Sequence, residues 1–134
     1  MVSVLIVEGH DLVRQAVESR LRSAVGFDIV GSTSDYRDAV RLAMQLAPDL
    51  ILLEIKAPEG LETLRALTTT LPDSAIVVLT SYPDSREEDQ VMQMGAVRYL
   101  LKTLDTKALV HELRTAARRN PNPINLPVQT APSP

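Results

Sequence analysis

The chain predicts an α/β fold, a doubly wound (βα)5 three-layer sandwich built on a parallel sheet of order 2-1-3-4-5. Five short apolar runs alternate with five stretches of helical spacing along residues 1–119. Most of the runs are apolar throughout rather than at every second residue, as parallel strands covered on both faces require. Right-handed crossovers then favour double winding, and 2-1-3-4-5 is the common strand order at this size.

Val2 to Val7 is the first strand, almost wholly apolar and rich in β-branched residues. Asp11 is placed to cap a helix whose apolar positions are Leu12, Val13, Ala16, Val17, Leu21 and Ala24. Gly26 ends it, and Phe27 to Gly31 forms a second short strand. Ser34 or Asp35 caps the next helix, which sets Ala39, Val40, Ala43 and Leu46 on one face. Ala47-Pro48-Asp49 stops it and launches the strand Leu50 to Glu54.

The third helix is expected from about Gly60 to Leu71, carried by Leu61, Leu64, Leu67 and Leu71. Pro72-Asp73 turns the chain into the strand Ala75 to Leu79, which runs out on Thr80 and Ser81. A short polar helix from about Arg86 to Met94 has only Val91, Met92 and Met94 to bury, with Gly95 as its left-handed terminator. Val97 to Leu101 is the fifth strand and ends at Lys102. The last helix, about Thr106 to Arg119, carries Leu109, Val110, Leu113, Ala116 and Ala117, and its basic end suits the helix dipole.

From Asn120 the composition changes. Five of the nine prolines fall in residues 120–134, so this stretch reads as a Pro-rich linker or disordered tail after a domain spanning residues 1–119.

Composition narrows the function. A hydrophobic content of 45% suffices for one core, and the near absence of aromatic residues makes that core Leu, Val, Ile and Ala. With no cysteine, disulfides and thiolate metal sites are excluded, which fits a reducing cytoplasm. No apolar stretch approaches the roughly 20 residues of a membrane helix, and the acidic Glu8 does not suit a secretory signal. A net charge of -3 gives this domain no electrostatic reason to bind nucleic acid by itself.

The predicted strand order brings the C-terminal ends of strands 1, 3, 4 and 5 together at the switch point, where open α/β sheets keep their sites. Those ends carry Glu8, Glu54, Thr80 and Lys102. No glycine-rich phosphate loop, nucleophile–base pair or metal-ligating cluster accompanies them, so the expectation is a non-enzymatic module with no cofactor.

Four segments together resemble the receiver domain of two-component response regulators of the NarL/FixJ type. They are Val4 to Arg14, Pro48 to Glu54, Val77 to Ser81 and Met94 to Lys102, in the family's order and spacing. The resemblance covers about residues 2–119. It implies that position 54 should be an aspartate accepting a phosphoryl group from a histidine kinase. It also implies two acids at positions 8 and 9 for Mg²⁺, Thr80 and Lys102 on the phosphoryl oxygens, and Tyr99 as a rotating switch.

The chain departs from that pattern. Glu54 replaces the acceptor and moves the carboxylate by about 1.5 Å, the length of one C–C bond, where transfer depends on positioning. Gly9 removes one acid, so Glu8 and Glu54 face Lys102 with a formal charge of -1, which Lys56 could neutralise. Mg²⁺ binding is therefore not expected. The loop Lys56 to Gly60 is two residues shorter than usual, and Asp11 stands where proline is common.

The resemblance implies a degenerate receiver that acts by protein interaction, most naturally as a homodimer, without aspartyl phosphorylation. Leu109, Leu113 and Ala116 on the last helix are the interface candidates, with an entirely core role as the alternative. DNA is reached only through a C-terminal or partner helix-turn-helix domain, and the linker composition favours the former. The input is a protein or a small ligand. Two other classes stay open: a conventional receiver using another acceptor such as Asp11, and a small enzyme on a flavodoxin-like sheet.

Overall fold

The computed structural model describes residues 1–118. Ten elements follow in order: β1 (Val2–Val7), α1 (Asp11–Arg22), β2 (Phe27–Thr33), α2 (Tyr36–Leu46), β3 (Leu50–Leu53), α3 (Ala57–Thr70), β4 (Ala75–Thr80), α4 (Ser85–Gln93), β5 (Arg98–Leu101) and α5 (Thr106–Arg118). The five strands are all parallel, in the order β2-β1-β3-β4-β5 expected from the sequence. The sequence reading of residues 120–134 lies outside the described residues.

The pleat divides the core in two. Val4 and Ile6 of β1, Leu50 and Leu52 of β3, and Val77 and Leu79 of β4 pack with Val17 and Leu21 of α1 and Leu109, Val110, Leu113 and Ala116 of α5. The intervening residues Leu5, Val7, Ile51, Leu53, Ile76 and Val78 pack on the other face with Ala39 and Ala43 of α2, Leu64 and Leu67 of α3, and Val91 of α4. Every second side chain thus feeds a different helical layer, which is why the strands read as continuous apolar runs.

Several boundaries shift for local reasons. α3 begins at Ala57, three residues before Gly60, with Pro58 in its first turn where a missing N–H costs nothing. The N-cap of α1 is His10, whose Nδ1 accepts the Val13 N–H at 3.4 Å, and Asp11 is instead the first helical residue, paired with Arg14 at 2.9 Å. β2 runs two residues further than expected, through Thr33, with a register break opposite Val4 and Leu5. Asp35 caps α2, and Gly95 holds φ +113° after α4 as anticipated.

Leu12 and Met92, expected to be buried, are 71% and 41% exposed. The helical stripe is narrower than the apolar pattern suggests, because α1 and α4 each bury only their innermost positions.

Candidate functional site

The loops after β1, β3, β4 and β5 converge at the C-terminal edge of the sheet, and Lys102 is at the centre of what they build. Its Nζ lies 2.6 Å from Glu8 Oε1 and 2.7 Å from Glu54 Oε2. All three side chains are largely withdrawn from solvent, Lys102 being 8% exposed. The remaining carboxylate oxygens are also used: Glu8 Oε2 accepts the His10 N–H at 3.0 Å and Glu54 Oε1 accepts the Gly9 N–H at 3.3 Å. The result is a compact acid–base–acid cluster with a formal charge of -1.

Burial pushes the Glu54 carboxyl up, but the Lys102 ammonium, with Glu8 and the Gly9 N–H, outweighs it and holds the group below the ordinary carboxylate value. Burial likewise pushes Lys102 down, and the two carboxylates overcome it and raise the ammonium above the ordinary lysine value. Both shifts favour the ionised pair.

Backbone around Glu54 is fixed by Tyr36, a residue the sequence reading did not single out. Its hydroxyl donates to the Glu54 carbonyl and accepts the Lys56 N–H at 2.8 Å. Burial pushes the phenol up to about 12. Gly60 packs beneath it, and a Cβ there would meet the Tyr36 hydroxyl at 2.9 Å and Ile55 Cα at 3.0 Å. A short β3–α3 loop needs this close approach, so the glycine is structural.

Thr80 and Tyr99 are near the cluster but serve other partners. Thr80 Oγ1 accepts the Tyr82 N–H at 3.1 Å and donates to the Tyr82 carbonyl at 3.2 Å. Tyr99 donates to Glu87 at 2.8 Å and accepts the Asp84 N–H at 3.2 Å; burial, then Glu87, raises its phenol. Glu87 thereby ties α4 to Tyr99 of β5. Lys56 is exposed and, among the described residues, pairs with neither acid, so it leaves the cluster's charge unneutralised. A cavity of about 330 Å³ opens beside the cluster, walled by Val13, Ile55, Leu79 and Tyr82.

Residues 4–114 match the family model for the response regulator receiver domain. The chain belongs to that family. LiaR, a transcriptional regulatory protein of Bacillus subtilis, is 32% identical over 123 residues, covering 90% of this chain and 58% of the relative. The response regulator GacA of Pseudomonas aeruginosa is 34% identical over 116 residues, covering 85% of this chain and 54% of that protein. The chain thus spans little more than half the length of these curated relatives. Among solved structures, the receiver domain of the response regulator NarL from Mycobacterium tuberculosis superposes with a TM-score of 0.80 at 25% identity, covering 87% of this chain and 96% of that one.

Within this receiver domain the donor set does not fit Mg²⁺. Glu8 and Glu54 each place one oxygen on Lys102 and the other on a backbone N–H, and Gly9 contributes no side chain. An octahedral ion would have to displace an ammonium already seated between these two acids.

Leu109, Leu113 and Ala116 do not form an interface face. They are 1%, 0% and 0% exposed, consumed by the core against β1, β3 and β4. The surface expectation fails because the 3.6-residue period that marks an apolar stripe cannot say whether a sheet already covers it. No described helix is long and apolar enough to cross a membrane.

Proposed function

We propose that this receiver domain is a non-enzymatic interaction module whose output does not require aspartyl phosphorylation. It would regulate transcription from the cytoplasm, as a homodimer, through a helix-turn-helix domain that follows it or belongs to a partner. The observation that carries this reading is the seating of Lys102 between Glu8 and Glu54. The lysine that would bind phosphoryl oxygens already spends two of its three donors on carboxylates, and each oxygen of the carboxylate at the acceptor position already accepts a hydrogen bond.

Glu54 is best read as one half of a structural ion pair rather than as a standing imitation of a phosphorylated aspartate. A phosphoryl group would bring a charge of about -1.5 to -2 and three strong acceptor oxygens. Glu54 reaches neither Thr80 nor Tyr99, whose hydroxyls are engaged by Tyr82, Glu87 and Asp84. Loss of Lys102 would leave both acids without a cation, which favours retention of the cluster as a unit.

The relatives' printed descriptions, a transcriptional regulatory protein and a response regulator, support the regulatory setting. The test is incubation with Mg²⁺ and acetyl phosphate, followed by intact-mass and peptide mass spectrometry. No phosphoryl increment is expected at Glu54 or at Asp11. A labile phosphoryl group on Glu54 overturns the proposal, and one on Asp11 establishes the alternative acceptor.

A further inference from the structure

Far from Lys102, at the N-terminal edge of the sheet, a groove of about 450 Å³ runs between the start of β1, the turn before β2 and the last turn of α5. Its walls are apolar at Val2, Gly26 and Ala117, and Met1 and Val25 beside it are 90% and 85% exposed. One rim is cationic, formed by Arg114 and Arg118. These two arginines end a line of exposed basic side chains, Lys107, His111, Arg114 and Arg118, spaced four, three and four apart along one face of α5.

Arg114 is already oriented. Its Nη2 donates to the Val25 carbonyl at 2.6 Å, and its guanidinium lies 5.6 Å from the centre of the Phe27 ring. A guanidinium has five N–H donors in a fixed fork, so most remain available to a carboxylate. Among the described residues, no carboxylate pairs with Lys107, Arg114 or Arg118. The acid in the groove, Asp49, is turned onto Ser3, accepting its N–H at 2.9 Å and its hydroxyl at 3.1 Å.

We propose that this edge is a docking site for an acidic amphipathic helix of a partner protein, its apolar residue in the groove and its carboxylates on Arg114 and Arg118. The apolar wall selects a protein segment over a nucleic-acid backbone, which has nothing to fill it. The net charge of -3 also opposes a dense polyanion. A second copy is disfavoured because a two-fold contact through this face would set the basic line against itself. A partner helix with acids one turn apart matches the rise between Arg114 and Arg118, about 6 Å at 1.5 Å per residue. The site does not depend on how Glu54 is read.

The test is a fluorescence-anisotropy titration of the full 134-residue chain with a labelled helical peptide carrying two glutamates one turn apart around a leucine. Controls are the same peptide with glutamine for glutamate, or alanine for the leucine, and a short DNA duplex. Saturable binding to the acidic peptide is expected, weakened about tenfold by Arg118→Glu, by the glutamine peptide and by the alanine peptide, since a few residues dominate such contacts. Arg118 is exposed, so its replacement leaves the core intact. Arg114→Lys keeps the charge but loses the fork, and should weaken binding severalfold. Absence of binding, or indifference to Arg118→Glu, overturns the proposal. Tighter binding of the duplex makes this a nucleic-acid surface, and a dimer dispersed by Arg118→Glu makes it a self-contact; either result also overturns it.

Discussion

Arg20 of α1 holds Lys102 from behind. Its Nη1 donates to the Lys102 carbonyl at 3.0 Å, its Nε donates to Thr106 Oγ1 at 3.0 Å, and its Nη2 donates to the Leu104 carbonyl. One guanidinium thereby ties α1 to the loop that carries the pocket lysine into α5. Lys102 is thus fixed at both ends, its ammonium by two acids and its backbone by an arginine more than eighty residues away in sequence.

Arg20→Ala should cost about 1–3 kcal/mol, because it removes a charged donor from two partly buried carbonyls. Its effect should be non-additive with Lys102→Met, since both act on the same loop. Denaturant unfolding of the two single variants and the double variant measures this coupling. Strict additivity would show that the strap and the acid cluster are independent.

Loss of Lys102 should be worse than loss of Glu54. Lys102→Met leaves Glu8 and Glu54 facing each other without a cation, and breaking a buried pair this way typically costs about 3–5 kcal/mol. Glu54→Gln leaves Lys102 still paired with Glu8 at 2.6 Å, and should cost about 1 kcal/mol. The pH dependence follows from the shifts. Glu54 is held low, so its contribution is present above the ordinary carboxylate value of 4.5 and is lost as pH falls through its folded value. Lys102 is held high, so its contribution is present below the ordinary lysine value of 10.5 and is lost as pH rises beyond it. The stability gap between wild type and Glu54→Gln should therefore be flat through neutral pH and close in acid. A gap that widened in acid would contradict this assignment.

The sheet order and the four strand ends at Glu8, Glu54, Thr80 and Lys102 were legible in the sequence because each depends on local apolar runs and the crossover rule. The Lys102 contacts to Glu8 and Glu54 followed from that topology. What was not legible depends on side-chain reach across the fold. Arg20 looks like any basic residue on an amphipathic helix, and nothing local says that its fork meets three groups beyond Leu101. Tyr36 reads as the first residue after a cap, yet its hydroxyl organises the β3–α3 loop. Gly60 beneath a short loop was the available signal for that close approach. Leu109 and Leu113 could not be assigned between core and surface, since periodicity gives a face without saying what covers it.

Tyr36→Phe tests the loop clamp. The change removes a donor to the Glu54 carbonyl and an acceptor for the Lys56 N–H, and should cost about 1–3 kcal/mol. In a spectrophotometric titration, one tyrosine should ionise only near pH 12 and that step should vanish in the variant. A variant as stable as wild type would mean that water satisfies the loop equally well.

Positions 9 and 54 should together account for the pocket's chemistry. A Cβ at Gly9 would meet only Glu54 Oε1 and the Ser34 carbonyl, each at 3.8 Å, which is ordinary contact. The β-carbon of a side chain is therefore accommodated there. Gly9→Asp with Glu54→Asp adds a third acid and draws the carboxylate at position 54 back by about one bond length, 1.5 Å, off Lys102. Three carboxylates against one ammonium make a formal -2, which a divalent ion neutralises with the oxygen ligands it requires. The doubly substituted protein should gain a saturable, Mg²⁺-dependent change in tyrosine fluorescence and accept phosphate from acetyl phosphate. Neither single variant should do both, because Gly9→Asp keeps the longer Glu54 side chain and Glu54→Asp leaves only two carboxylates beside Lys102. A double variant that folds but binds no Mg²⁺ would show that positions 9 and 54 do not by themselves account for the pocket's chemistry.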